Sequence, residues 1–377
     1  MMINFWSYKN EYKKYGPKFN NFFDQTLKSG QIFFGPNLKK FESNFIKKYK
    51  SKYGVAVGSG TDALLISLMS INIKNGDEVI TASNTAIPTI SAIVNSGAKP
   101  ILVDVKEDYL IDVGQIEKKI TKKTKAIIPV HLYGRSCDME KIVKISNKYK
   151  LSIIEDCAQS QGAKLNNKFV GTFGSLGCFS FYPTKILGGY GDGGFILTNN
   201  FKLYSNIKKI RFYGIDTIDK KNQFYKKYYS NINGLNSRLD EINSKILNFK
   251  LNKVNKFILK RRKIARIYDE ELKNTGLKLP IKNNNKYDVY HLYTVYHKKR
   301  DLIIKKLLKE KIQTRIIYPF PVHKMKAYSK FFINEKYDVS EIVSKGIFSL
   351  PLYPELNVKA VYYICRKLKK ILISIQT

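Results

Sequence analysis

The stretch Gly174-Ser-Leu-Gly-Cys-Phe-Ser-Phe-Tyr-Pro-Thr-Lys185-Ile-Leu-Gly-Gly-Tyr-Gly-Asp-Gly-Gly194-Phe-Ile-Leu-Thr198 decides how the rest of the chain is read. Two short apolar runs, Cys178 to Phe181 and Gly194 to Thr198, predict β-strands, and the turn between them carries one lysine among Phe, Tyr, Pro and Gly. Elsewhere lysine is scattered through solvated runs. Here partial burial lowers the amine pKa and keeps a fraction of Lys185 as free amine, which can attack a carbonyl. The glycines after it allow positive φ and let a bulky planar ligand approach the backbone closely. A tight hairpin with an exposed turn lysine fits these residues, taken alone, equally well.

Working outward, Leu151 to Ile154 predicts a strand that runs into Glu155-Asp156-Cys157-Ala158-Gln159. A carboxylate and an amide therefore sit at the C-terminal end of a parallel strand, where open α/β sheets bind ligands. Further back, Val55 to Gly58 leads through Ser59-Gly60-Thr61-Asp62 into an apolar helix, Ala63 to Ile71. That order aims free N–H groups, a positive helix end and a threonine hydroxyl at one point, which suits a phosphate. Ser, Thr and Asp also cap helices that bind nothing. Between these stretches strands and helices alternate: strands at 78–81, 99–103 and 126–130, helices at 88–96, 113–120 and 139–149. This alternation implies right-handed crossovers and a mainly parallel sheet.

A chain of 377 residues is long enough for one large α/β domain and a smaller one, each with its own core. Hydrophobic residues at 44% and aromatics at 13% exclude a disordered chain. A formal net charge of +37 raises nucleic acid or an anionic membrane surface as a partner. The lysines are spread along the chain, however, with Lys260-Arg-Arg-Lys263 the densest cluster. The charge reads instead as a field that steers an anionic substrate. Cys137, Cys157, Cys178 and Cys365 have no metal-ligand spacing and read as reduced, buried thiols of a cytoplasmic protein. No apolar run reaches the length of a membrane span or an export signal. No two of His131, His291, His297 and His323 have ligand spacing on a helix, and no metal is assigned. His131, at a strand end, suits the ligand side of the sheet and a structural role equally.

Residues 5–50 read as an arm followed by a helix, Pro36 to Lys50, whose Phe41, Phe45 and Tyr49 form a packing stripe. Asn233 to Glu241 opens a long helix running to about Tyr268, preceded by a Lys- and Tyr-rich loop at 216–229 that is mobile or a partner contact. Beyond it, strands are expected around Leu292 to Tyr296 and Thr314 to Ile316, and helices around Leu302 to Lys309 and Lys359 to Ile373.

Lys185, Asp156 and the loop at 59–62 together resemble a fold-type I pyridoxal-phosphate enzyme. From about Gly30 to Leu251 in dense motifs, and more loosely beyond, the chain is similar to the DegT/DnrJ/EryC1/StrS sugar aminotransferases. The resemblance implies an α/β fold with a mainly parallel mixed sheet between helices in a large cofactor domain, residues 1–250, and a small C-terminal α/β domain, residues 251–377. It implies pyridoxal 5'-phosphate as cofactor and Lys185 as the lysine that carries it and shuttles a proton. Asp156 faces the pyridine nitrogen, Gln159 the ring hydroxyl, and Gly60, Thr61 and Ser180 the phosphate. Asn236 matches an asparagine that the family supplies from a second subunit, which makes the active unit a homodimer; an ordinary helix N-cap is the rival role for it. Tyr182, Arg238, Tyr318 and His323 are substrate candidates.

One departure stands out. Many relatives stack an aromatic side chain on the cofactor ring where this chain has Ala86, so that either Ile87 or Pro88 packs there or the ring face stays open. Tyr182 and the run after Lys185 resemble the group that aminates C-3 of a dTDP- or UDP-linked 3-keto-hexose with L-glutamate as donor, for amino sugars of surface polysaccharide. The alternatives are amination at C-4 and, in a different class, a basic non-catalytic nucleic-acid-binding or regulatory protein. Some relatives are dehydratases with histidine in place of the lysine, and Lys185 speaks against that reaction.

Overall fold

The computed structural model describes residues 2–216 and 228–375. Its central sheet contains β1 (Tyr53–Val57), β2 (Glu78–Ala82), β3 (Lys99–Val103), β4 (Thr124–Ile128), β5 (Ser152–Asp156), β8 (Leu176–Ser180) and β9 (Gly194–Thr198), in the order β1-β9-β8-β5-β4-β2-β3. Only β9 runs against the rest, pairing antiparallel with both β1 and β8. The short strands β6 (Lys164–Leu165) and β7 (Lys168–Phe169) pair with each other and with β10 (Lys286–Tyr287) in a small separate sheet.

The sheet is buried on both faces, so its strands are apolar throughout rather than alternating. Leu176 and Cys178 of β8 and Ile196 of β9 join the core that contains the Gly60–Ser70 helix. Phe179, Phe195 and Leu197 point the other way, into a core with Phe41, Phe45 and Tyr49 of the Pro36–Tyr49 helix. The expected packing stripe on that helix is therefore real.

Several expectations are corrected. Residues Lys9–Lys28, expected as an arm ahead of the first helix, form a helix of their own. The long helix predicted from 233 to 268 is two helices, Glu241–Leu251 and Val254–Leu272, and it starts later because Asp240 is the N-cap, accepting from Asn243 N at 2.7 Å. Glu241, fully buried, reaches back to the Pro36–Tyr49 helix. Its carboxylate accepts from Gly35 N, Asn37 N and Leu38 N at 2.8–3.0 Å, satisfying donors that the helix start leaves without partners. Most of the predicted loop at 216–229 lies outside the described residues.

A third core joins the Val254–Leu272, Arg300–Lys309 and Val358–Ser374 helices around β11 (Tyr293–Tyr296) and β12 (Ile347–Leu350). Thr314 to Ile316 forms no strand, only a bridge from Arg315 to Ser349, and the Asp338–Gly346 helix was not expected. The chain start belongs here too: Ile3 pairs with Ile312, and Ile3 and Trp6 pack on this core.

Candidate active site

A cavity of about 260 Å³ opens at the C-terminal ends of the parallel strands and is closed on one side by the start of the Gly60–Ser70 helix. Gly60, Thr61, Asp156, Gln159, Ser180, Tyr182, Lys185 and Tyr318 all line it. These residues lie far apart along the chain. The sheet brings them to one end because β1, β5 and β8 finish there.

Lys185 sits on a tight turn that leaves β8. Its own N–H donates to Tyr182 O at 2.9 Å, and Gly189 N–H donates to Phe181 O at 2.8 Å. Burial pushes its amine down from 10.5 to about 8, against an upward pull from Asp156. The glycines that follow do not take positive φ, contrary to expectation; they are needed because the chain packs backbone on backbone. A Cβ on Gly194 would meet Ser59 O at 2.1 Å, and one on Gly60 would meet Ser180 Cβ at 2.6 Å.

Asp156 and Glu155 are neighbours on β5 and therefore face opposite ways. Asp156 faces the cavity. Thr89 Oγ1 donates to its Oδ2 at 2.8 Å and Ala158 N to its Oδ1 at 3.1 Å, yet burial still raises its pKa. Glu155 faces inward and is fully committed: it accepts from Gly171 N, Phe173 N and Gly174 N at 2.7–2.8 Å and meets His131 Nε2 at 3.0 Å. Because His131 Nδ1 accepts from Cys137 N at 3.0 Å, its proton resides on Nε2, towards Glu155. His131 is thus a structural residue beneath the site.

Gln159 Oε1 accepts from Tyr133 N at 2.8 Å, and its amide donates to Tyr318 OH at 3.0 Å, leaving one amide hydrogen for the cavity. Burial raises the Tyr318 phenol well above its usual value, so it stays a donor. At the opposite end Ser59 Oγ caps the helix by accepting from Asp62 N at 3.0 Å. Ser237 Oγ ties the neighbouring loop together, donating to Asp62 Oδ2 at 2.7 Å and accepting from Gly58 N at 2.8 Å.

Three of the proposed residues stay away from this cavity. Asn236 is exposed, with its backbone bridged to Phe212, and it is not a helix N-cap, since Asp240 fills that role. Arg238 lies over the Phe33 ring at 4.6 Å. His323 is buried against Tyr337, and its Nε2 is 3.0 Å from Glu341 Oε1. Around the missing aromatic, Ala86 and Pro88 line the cavity, whereas Ile87 is 49% exposed and does not. Thr89, Tyr133 and Glu155 were not singled out from sequence. Their partners lie 16 to 67 residues away, and no local spacing marks them.

The residues fit pyridoxal phosphate on their chemistry. A carboxylate raised by burial needs a cation to remain ionised, which Lys185 supplies in part and a protonated pyridine ring would complete. The helix start offers free N–H groups beside Thr61 and Ser180 to a phosphate.

Comparison with known proteins agrees. The model of the DegT/DnrJ/EryC1/StrS aminotransferase family matches residues 14–369. The dTDP-3-amino-3,6-dideoxy-alpha-D-galactopyranose transaminase of Aneurinibacillus thermoaerophilus is 41% identical over 94% of this chain and 96% of its own. The dTDP-3-amino-3,4,6-trideoxy-alpha-D-glucose transaminase of Micromonospora megalomicea subsp. nigra is 37% identical over 93% and 94%. The crystal structure of S. venezuelae DesV superposes with a TM-score of 0.93 at 32% identity, covering 98% of both chains. The match of the family model along nearly the whole chain, with relatives at 37–41% identity over more than nine-tenths of both lengths, makes this chain a pyridoxal-phosphate-dependent aminotransferase of the DegT/DnrJ/EryC1/StrS family acting on nucleotide sugars.

Proposed function

We propose that the chain transfers an amino group from L-glutamate to C-3 of a dTDP- or UDP-linked 3-keto-hexose, in the cytoplasm, as a homodimer. The single observation that carries this reading is the Lys185 amine, lowered to about 8 and opposite Asp156, in a cavity that also holds a helix start suited to phosphate. Both named relatives are transaminases of 3-amino sugars, which supports C-3. Pyridoxal phosphate, once bound, supplies the electron sink that stabilises negative charge at the carbon bearing the amine.

The chain's own residues do the rest. Asp156, held by Thr89 and Ala158, keeps the proton on the ring nitrogen. Gln159 orients the ring hydroxyl. Gly60, Thr61 and Ser180 hold the phosphate, joined by Asn236 of the second copy. Lys185, freed during turnover, takes the proton from one carbon and returns it to another. Tyr182, exposed at the mouth, and Tyr318, a buried donor, face the sugar, with Arg238 and His323, which lie outside this cavity, as outlying candidates. At about 260 Å³ the cavity is below the roughly 300–1,000 Å³ usual for a ligand site. It suits the cofactor and leaves the nucleotide to an adjoining surface.

The division into residues 1–250 and 251–377 belongs to the same reading and draws support from the separate core around β11 and β12. The experiment is turnover with glutamate on a panel of 3-keto and 4-keto nucleotide sugars, for the unmutated protein and Lys185→Ala. Turnover of 3-keto substrates that vanishes in the variant is expected. Turnover of 4-keto substrates alone would replace C-3 by C-4, and transamination surviving in Lys185→Ala would sink the reading.

A further inference from the structure

Two further cavities, of about 310 and 300 Å³, share no lining residue with the cofactor cavity but have Asn283 and Lys286 in common. Lys286 is fixed in place by β10, where it pairs with Leu165 of β6. Each volume falls at the lower end of the roughly 300–1,000 Å³ usual for a ligand site.

The second cavity is cationic. Arg262, Arg266, Lys282 and Lys286 line it against two carboxylates, Asp269 and Asp288. Both carboxylates are already engaged. Asp269 Oδ1 accepts from Tyr293 OH at 2.8 Å and its Oδ2 lies 3.0 Å from Lys282 Nζ, while Asp288 Oδ2 is 3.3 Å from Arg135 Nε. The first cavity adds Lys106, Lys141 and Lys144. Its acidic residues are engaged too: Asp138 caps the Met139–Tyr149 helix and pairs with Lys141 at 3.2 Å, and Glu140 accepts from Asn166 Nδ2 at 2.5 Å.

Lys286 is the group that this arrangement leaves unsatisfied. Its side chain is 9% exposed, yet its ammonium makes no hydrogen bond among the described residues, and the one carboxylate within 4.0 Å, Asp108, stands 3.9 Å away. An ammonium so far withdrawn from water loses hydration that only close partners replace, which is why lysine is seldom enclosed without them. Arg262 is preset beside it. Its guanidinium lies on the Tyr287 ring at 4.1 Å, and Nη1 donates to Asp288 O at 2.6 Å, so its remaining N–H groups are held in one orientation. Arg266 is exposed and makes no ion pair among the described residues.

We propose that these joined cavities form a second phosphate site, separate from the cofactor's, in which a diphosphate group bridges Lys286 and Arg262. Arg266 and Lys282 balance the rest of its charge from the solvent side. A single carboxylate would leave most of the four cations unmet, whereas a diphosphate offers charge and acceptor oxygens to all of them. The two cavities leave room for a substituent on either side of Lys286. Asp288 Oδ1, buried and unpartnered, offsets part of the positive charge in the free protein.

Inorganic pyrophosphate and the diphosphate of a nucleotide share this chemistry, and the test separates them. Holoenzyme, whose cofactor already fills the phosphate site at the Gly60–Ser70 helix, is titrated with pyrophosphate and with UDP by calorimetry, for the unmutated chain, Lys286→Met and Arg266→Ser. One site per chain is expected, weakened about tenfold in Lys286→Met. Should Lys286→Met not fold, the exposed Arg266→Ser gives the same comparison with a smaller loss. The place of binding is read by acylating the lysines with a small reagent and following each by mass spectrometry. Ligand should slow labelling of Lys286 several-fold and leave the exposed Lys309 unchanged. Protection by UDP at lower concentration than pyrophosphate assigns the site to a nucleotide, and protection by pyrophosphate alone assigns it to the inorganic ion. No binding, equal affinity in all three chains, or uniform protection of every lysine overturns the proposal, the last two because the general positive field of the surface would then be the attractor.

Discussion

At the scale of single residues, the site depends on keeping two opposite charges partly unsatisfied until the cofactor arrives. Asp156 has one donor on each oxygen, and the stronger geometry belongs to Thr89 at 2.8 Å. A hydrogen bond to a charged group contributes about 1.5–3 kcal/mol. Thr89→Val is therefore expected to weaken cofactor binding roughly tenfold or more, measured by titrating apoprotein and following the visible absorbance. Lys185 makes a prediction with a sign. Its folded value of about 8 lies below its ordinary 10.5, so between these values the unfolded chain binds more protons than the folded one. Stability of the apoprotein relative to Lys185→Met should thus be flat below about pH 8 and rise with pH up to about 10.5, followed by urea unfolding at each pH. A difference that falls over that window would mean that the amine is not held down by burial.

Among elements, the helix starts do most of the positioning. The Gly60–Ser70 helix begins where it does because Ser59 caps it and because Gly60 and Gly194 let β8, β9 and the loop close up without a side chain between them. The Pro36–Tyr49 helix has no side-chain cap of its own at Gly35 and is capped from 200 residues away by Glu241. Removing that carboxylate strands three backbone donors in a buried place. Glu241→Ala should lower stability by about 3 kcal/mol, seen as a drop in the denaturation midpoint with little change in slope. Because the same segment begins with Asn236 and Arg238, the variant should also loosen the loop that carries them.

For the whole molecule, the important question is how a single chain completes a site that its own fold leaves partly open. Asn236 and Arg238 stand outside the cavity, and Asn236 is exposed. If Asn236 serves the site of a second copy, Lys185→Ala and Asn236→Ala chains are each inactive alone and complementary when mixed. Half of the dimers formed after unfolding and refolding together are then mixed, each with one intact site, so that about a quarter of the unmutated activity returns. Mixtures that stay inactive would mean that Asn236 acts in the site of its own chain, and an Asn236→Ala chain active by itself would place it outside the catalytic unit. The surplus of positive charge acts at this scale as well, drawing a doubly charged nucleotide sugar towards the surface rather than fixing its pose.

Much of this protein was written in short runs of its sequence. The order of strands and helices, the lysine in its glycine-rich turn, the strand-end aspartate and the loop that starts a helix are all local patterns. Periodicity and turn chemistry act over a few residues, and these features needed nothing more. The tertiary structure alone decided what depends on residues distant in the chain. It brought Thr89 to Asp156 and Glu241 to another helix, and turned the glycines after Lys185 from a source of positive φ into a packing requirement. It also buried His131 on the inner side of β5 and kept Asn236 out of its own cavity. These outcomes follow from which face of a strand points where and from which backbones touch. Both are set by packing across the sheet, and no stretch of sequence records them.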